Sequence, residues 1–316
     1  MLVFTAKRVV RALLVILFAT FLVVALLSIA PGSLAVTLLG DAATPDAVAE
    51  LEARLGLDEP LWEQYFGWLG DAVTGDFGTS LRTRQDVLDS VLERLPVTLE
   101  LALLALVIAL AVSVPMALAA ANRPGSPIDR VSTFLASVGL ALPAFVVAPV
   151  LVYFLSVQAG LFPVAGWERV GEGVGANLHH ALLPAIAVAI PEIAAFQRLL
   201  RTDLDSTLHE DFISAARARG LSRSYILWRH ALRPSSFSLV TLAGISFGRL
   251  IGGTVIVEAV FTLPGLGSLI AGSIASRDVI AVQGAVAFIV IAYVVINTLV
   301  DIGYGFLDPR VRREAV

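Results

Sequence analysis

The sequence predicts an all-α polytopic membrane protein with six transmembrane helices. Two observations carry that fold class. Of the 316 residues, 57% are hydrophobic and only 15% charged, whereas a soluble chain is about 45–50% apolar and about 25% charged. Mean hydropathy is +0.85. The apolar residues also gather into stretches long enough to cross a hydrocarbon core of about 30 Å, which takes about 20 residues at 1.5 Å each.

The six spans, in order, are Val9–Ala30, Val97–Ala121, Phe134–Gln158, His180–Leu200, Phe237–Glu258 and Gly284–Phe306. The first follows Lys7, Arg8 and Arg11, as a secretory signal would. Its apolar run exceeds a signal core of about 7–15 residues, and Ile29-Ala30-Pro31-Gly32 is a poor cleavage context. The expectation is an uncleaved first span. Six spans place both termini on one side. Basic residues are retained in the cytoplasm. Fifteen of the 22 fall in the segments assigned inside, namely those around residues 7–11, 123–130, 198–233 and 310–313. Six fall outside, and Arg249 lies within a span. Both termini are therefore expected in the cytoplasm.

Residues 31–96 form the one long external segment of a single transmembrane domain, 1–316, and carry twelve acids against four arginines. Asp46 to Leu57 reads as an amphipathic helix with Thr44 or Asp46 as its cap. Trp62, Tyr65, Phe66, Trp68 and Leu69 make an aromatic cluster suited to a membrane–water interface. The segment is expected to act as a small lid, compatible with docking of an external partner.

The composition excludes several chemistries. There is no cysteine, so disulfides, thiolate metal sites and thiol catalysis are impossible. Lys7 is the one lysine and lies outside any G-x-x-x-x-G-K-[ST] context, so the chain has no P-loop. Net charge is −4 and the isoelectric point about 5.6, which suggests no nucleic-acid partner. No cofactor or metal is expected in this chain.

The cytoplasmic loop 201–234 is too long for a helix–helix turn. Asp211 to Arg219 reads as a helix ended by Gly220, with Arg217 and Arg219 suited to its last turn. Ser222 can cap a second helix running to Leu232 before Pro234. Phe212, Ala215, Ala216 and Leu221 form one apolar stripe, and Tyr225, Ile226 and Trp228 another. Such stripes need either a lipid interface or a protein groove.

The run ISAARARGLSRSYILWRHALRPS resembles the EAA loop of ABC-importer permeases. Ala215, Ala216, Gly220 and Leu232 stand at the family's positions, with Ser214, His230 and Arg233 where Glu, Ile and Pro are usual. A-R-A-[KR]-G-L-S with RHALR is similar to the peptide-permease variant. APGS, LGLDEPLWEQYFGWLGDAVTGDFGTSLRT, RLPVTLELALLAL, ALPAF, LLPAIAVAIP, IVEAVFTLPGLGSLI and LVDIGYGFLDPRVR extend the resemblance along the chain. It implies a dipeptide/oligopeptide/nickel-type permease subunit of an importer. It implies partners too: a second, similar permease, two ATPase subunits holding ATP and magnesium, and an external substrate-binding protein that delivers peptide. Under it, Ala215, Ala216, Arg217, Gly220, Leu221, Tyr225, Ile226 and His230 would form the ATPase-coupling surface.

Within the membrane, Arg249 needs a partner or water, because an unpaired charge there costs about 2.5–3.5 kcal/mol. Glu100, Glu192, Glu258 and Asp301 are available. Such residues either fix helix registration or line a translocation path, where Arg attracts a carboxylate and Glu an amine. Pro184 and Pro191 are expected to kink the fourth span. Gly244, Gly248 and Gly252 recur every four residues, a G-x-x-x-G packing face. Gly244-Ile-Ser-Phe-Gly248 also fits a hydrolase elbow, but that elbow needs a strand–turn–helix setting. His179-His180 is a poor chelating pair, since helix neighbours point about 100° apart, and is expected to cap the fourth span. Gly265-Leu-Gly267 is expected to make a tight turn or re-entrant segment. A secondary transporter or channel driven through Arg249 and the acids is the alternative function. It gives no reason for the cytoplasmic helix pair.

Overall fold

The computed structural model describes residues 2–29, 34–54, 56 and 58–307. Ala30, Pro31-Gly32-Ser33, Leu57 and the basic tail Arg310, Arg312 and Arg313 lie outside them. The described chain is helical, with one isolated antiparallel bridge between Thr79 and Asp86. The helices are α1 Leu2–Ile29, α2 Leu34–Leu39, α3 Pro45–Arg54, α4 Leu61–Thr74, α5 Val87–Asn122, α6 Pro127–Ala141 and α7 Ala144–Leu151. They continue as α8 Val174–Leu208, α9 Asp211–Ala218, α10 Arg223–Tyr225, α11 Leu232–Gly253, α12 Val255–Val260, α13 Leu266–Ala275 and α14 Val279–Leu307.

Among the described residues, five stretches are long and apolar enough to span a membrane, and a sixth forms only if the bent pair α6 and α7 with its extension to Gln158 counts as one span. The third expected span is therefore not a straight helix: its halves meet at 104°. The ALPAF run explains the break. Pro143 pushes the residue before it out of the helical region, and Leu142 is extended at φ −94°, ψ 113°. The next half starts at Ala144, with Pro143 as its N-cap residue. Pro149 lies inside α7, and a π-helical stretch, Val152–Gln158, follows. Other boundaries also differ. The second span starts at Val87, because Asp86 caps α5 by accepting from the backbone N–H of Leu88 at 2.7 Å and of Asp89 at 3.2 Å. The fifth stops at Gly253 and resumes as α12. α8 carries Pro184 and Pro191 without a break. α6, α7, α11 and α12 pack on it and hold it in place.

The chain divides into two compact units. The first joins residues 1–98 to 264–316. In it α1 packs on α14, and α4 lies against α1. Tyr65 is buried, donates to the Leu17 carbonyl at 2.9 Å and stacks edge-on with Phe21. Trp62 and Phe66 remain exposed on the same helix, so the aromatic cluster splits between packing and surface. α3 starts after Thr44, whose Oγ1 accepts from the Ala47 N–H. The loop 75–86 closes on the start of α14, where buried Asp278 accepts from Ser80 Oγ and the Ala281 N–H. Leu266 of α13 opens with its N–H on Thr98 Oγ1 at 2.9 Å.

The second unit covers residues 99–263 and is built around α8, which α6, α7, α11 and α12 flank. Gly139 brings α6 close to it: a Cβ there would stand 3.0 Å from Ala194 Cβ. His179 and His180 do not cap α8, whose N-cap is Gly173. Their rings instead bond the carbonyls of Leu161 and Gly166, pinning the loop after α7.

Candidate functional site

Every candidate in this section except Asp301 lies in the unit 99–263. The helix pair expected in the loop 201–234 begins as α9, which ends in the predicted turn. Gly220 has φ +78°, a left-handed conformation that costs other residues about 1–2 kcal/mol. Its N–H bonds the Arg217 carbonyl at 2.9 Å, and Leu221 N–H bonds that of Ala216. Ser222 then caps α10, its Oγ accepting from the Tyr225 N–H.

The second helix is not separate. α10 runs through a π-helical stretch, Ile226–Ala231, into α11 and the fifth span. Pro234 does not end it. Its missing N–H falls opposite the carbonyl of His230, inside the π-helical stretch Ile226–Ala231, where the regular i−4 ladder is already interrupted. The second segment of the pair is thus the N-terminal end of a membrane helix.

The apolar stripes also fall differently. The inward face is Ile213, Ala216, Ile226, Leu227 and Ala231, all buried. Phe212, Tyr225 and Trp228 turn outward, at 49%, 50% and 59% exposure. Ala215, Arg217, Gly220 and Leu221 are exposed as well, and His230 is half-buried beside the Tyr225 ring. Ala216 and Ile226 therefore act on the loop's shape and offer no surface. Three contacts brace the loop. Arg217 Nη2 donates to the Leu208 carbonyl at 2.9 Å. Thr207 Oγ1 meets Ser235 Oγ at 2.9 Å, tying the end of α8 to the start of α11. Arg201 grips Asp129 of α6 with two parallel bonds of 2.6 and 2.9 Å. Nearby, Gln197 Nε2 donates to Ser132 Oγ at 2.7 Å.

Within the membrane span, Arg249 Nη2 lies 2.7 Å and 2.9 Å from the two carboxylate oxygens of Glu192 and 3.2 Å from Ser246 Oγ. Glu192 is buried in α8. Ser246 is buried as well and serves this arginine. Glu258 accepts from Thr254 Oγ1 at 2.8 Å. Glu100 on α5 has the Asn177 side chain within hydrogen-bonding reach. The Asp301 side chain lies outside the described residues. Of the three glycines, Gly248 is buried, Gly244 half-buried and Gly252 exposed. The buried residues of α11 are Ser235, Leu239, Ala243, Ser246, Gly248, Leu250 and Ile251. A strict four-residue step gains about 40° per repeat on a 3.6-residue helix, so a glycine stripe winds off any one contact.

The fork between Asp129 and Arg201 was not legible, because Arg201 read only as one of the inside charges and nothing in the sequence singled out Asp129. Asn177 and Thr98 were missed too; no pattern marks a single polar residue that pairs across helices.

Residues 113–313 match the family model described as binding-protein-dependent transport system inner membrane component. Residues 1–102 match the N-terminal model of binding-protein-dependent transport system membrane components. The chain is 35% identical over 310 residues to the probable peptide ABC transporter permease protein y4tP of Sinorhizobium fredii, covering 98% of this chain and 99% of that one. It is 35% identical over 309 residues to the oligopeptide transport system permease protein AppB of Bacillus subtilis, covering 96% and 98%. It is 32% identical over 339 residues to the dipeptide transport system permease protein DppB of Escherichia coli, covering 99% and 100%. With its long apolar helices, these matches identify the chain as a multi-pass member of the binding-protein-dependent transport system inner membrane component family.

Proposed function

We propose that this chain forms half of the translocation pathway of an ATP-driven importer of di- or oligopeptides. Residues 1–316 act as one permease domain, with both termini cytoplasmic and 31–96 on the outer side. A second permease completes the path, two ATPase subunits bind ATP and magnesium, and an external binding protein delivers substrate. The observation that carries this reading is the helix pair at 211–231. It exposes Phe212, Tyr225 and Trp228 while its inner face is packed and braced to α8 and α11. An apolar face on a braced lever suits a groove on an ATPase. Because α10 continues into α11, a push on Tyr225 or Trp228 is delivered along the fifth span rather than through a flexible joint. The peptide substrate rests on the names of the relatives, which are peptide and dipeptide permeases.

Native mass spectrometry of the tagged chain, gently extracted after expression with its chromosomal neighbours, tests this. The expected result is a complex with a second permease and two ATPase subunits. This chain alone, or only with copies of itself, under several mild detergents would overturn the coupling assignment and favour a secondary transporter driven through Arg249 and Glu192.

A further inference from the structure

Arg249 has more donor capacity than Glu192 uses. All three of its hydrogen bonds run through Nη2. A guanidinium presents five N–H donors in a planar fork, so Nε and Nη1 are left for another acceptor. The exposures agree: the Arg249 side chain is 57% exposed, that of Glu192 7%. Depth follows from register. Thr207 and Ser235 touch where α8 and α11 run antiparallel; Glu192 lies fifteen residues from Thr207, and Arg249 fourteen from Ser235. At 1.5 Å per residue both counts put the ion pair about 21–22 Å from that contact, within a core of about 30 Å. An exposed guanidinium at such a depth faces water or protein, not lipid tails. Open space lies beside it: Gly253, one turn on, is exposed, and a Cβ there would meet nothing within 4 Å.

We propose that Arg249 is an anion-selecting residue on the translocation path, taking the carboxylate of the passing substrate, with Glu192 as the residue that positions it. This rests on the permease reading above. A lone arginine would hold a carboxylate too tightly, and a fully neutralised one would ignore it. A path site must favour entry and still allow exit. Clasping one nitrogen and leaving the other edge free meets both needs.

The test uses the assembled transporter. This chain has no cysteine, so Gly253→Cys gives it a single thiol. Its labelling rates with an anionic sulfonatoethyl and a cationic trimethylammonium-ethyl methanethiosulfonate are normalised to a free thiol. The expected anion preference falls about tenfold when Glu192→Gln/Arg249→Met is added. Both charges go together in that variant, so no buried charge is stranded. Glu192→Gln alone shifts the preference the other way. An unchanged ratio overturns the proposal. So does a thiol closed to both reagents, which would place Arg249 under the second permease. In parallel, uptake of a peptide is compared with its C-terminally amidated form, and the double variant is expected to lose most discrimination between them. A wild-type complex that takes up neither form refutes the peptide reading, and the labelling ratio still decides the anion site.

Discussion

One nitrogen of Arg249 on α11 is clasped by both carboxylate oxygens of Glu192 on α8, 57 residues earlier in the chain, at 2.7 and 2.9 Å. The pair is asymmetric, with the acid buried and the base largely exposed. Losing either partner therefore has unequal effects. Arg249→Met strands a buried carboxylate and is expected to destabilise by about 3 kcal/mol, the low end for a broken buried pair. Glu192→Gln frees an arginine that solvent already reaches and should cost less, about 1 kcal/mol. The double variant should recover most of the Arg249→Met loss. Thermal unfolding of the four proteins in one detergent gives the cycle. Additive losses would show that the contact contributes nothing.

Gly220 isolates the geometry of the proposed coupling turn from its contacts. Its φ is +78°, and a Cβ there would meet nothing within 4 Å. Space is available, so only backbone strain opposes a side chain. Gly220→Asn, which tolerates this region, should keep coupling, while Gly220→Val and Gly220→Trp should lose most substrate-stimulated ATPase activity without loss of folded complex. A charge at Ala216 acts differently: that residue is buried, so the variant should disorder the helix pair itself. Limited proteolysis of the 211–231 segment separates the two cases, and normal coupling in Gly220→Trp would refute the turn's role.

The sequence made the spans and this turn legible for different physical reasons. Membrane helices announce themselves by apolar length, and Gly220 by its place after two arginines. What stayed hidden was where helices fail to follow their apolar runs. Phe134–Gln158 reads as one stretch, yet Pro143 sets Leu142 extended and bends it by 104°. Pro234 reads as a stop and is none, because the π-helical stretch Ile226–Ala231 just before it already interrupts the regular ladder. The stripe Phe212, Ala215, Ala216 and Leu221 reads as one face, whereas the packed residues are Ile213 and Ala216. Period alone does not say which of two apolar faces a neighbour covers. Arg249 was legible as needing a partner, but four acids competed, and only packing of α11 on α8 selects Glu192.

Asp129 and Arg201 join the start of α6 to the C-terminal part of α8 by two parallel bonds, and Asp129 also accepts from the Gly125 N–H at 2.9 Å. The planar fork matters more than the charge. Arg201→Lys keeps the charge and should still lose about 1–2 kcal/mol of the fork. Asp129→Asn takes the carboxylate from both the guanidinium and the Gly125 N–H, and should cost about 2–3 kcal/mol. Both are expected to loosen the brace next to the coupling loop. Hydrogen exchange across 123–132 and 197–210 should therefore rise, more in Asp129→Asn than in Arg201→Lys. Equal protection in all three proteins would remove the brace from the account.

Gly284 gives the last prediction, in the other unit. It sits on α14 where loop 75–86 and α5 close in: a Cβ there would stand 2.7 Å from Val87 Cγ1, 3.1 Å from the Phe77 carbonyl oxygen and 3.3 Å from Phe77 Cβ. Val87 and Phe77 belong to a buried cluster with Val91, Leu266, Ile270, Ala281 and Ala285. A valine side chain can turn, but a backbone carbonyl held in that cluster cannot retreat without moving the loop. Gly284→Ala would ordinarily favour a helix by about 1 kcal/mol. Here overpacking opposes that gain and should exceed it, with a net loss of about 1–2 kcal/mol. Val87→Ala removes the nearest atom but leaves the carbonyl, so it should rescue only part of the loss. Thermal unfolding of Gly284→Ala with and without Val87→Ala reads both effects, and a stabilised Gly284→Ala would show that this approach is looser than the packing implies.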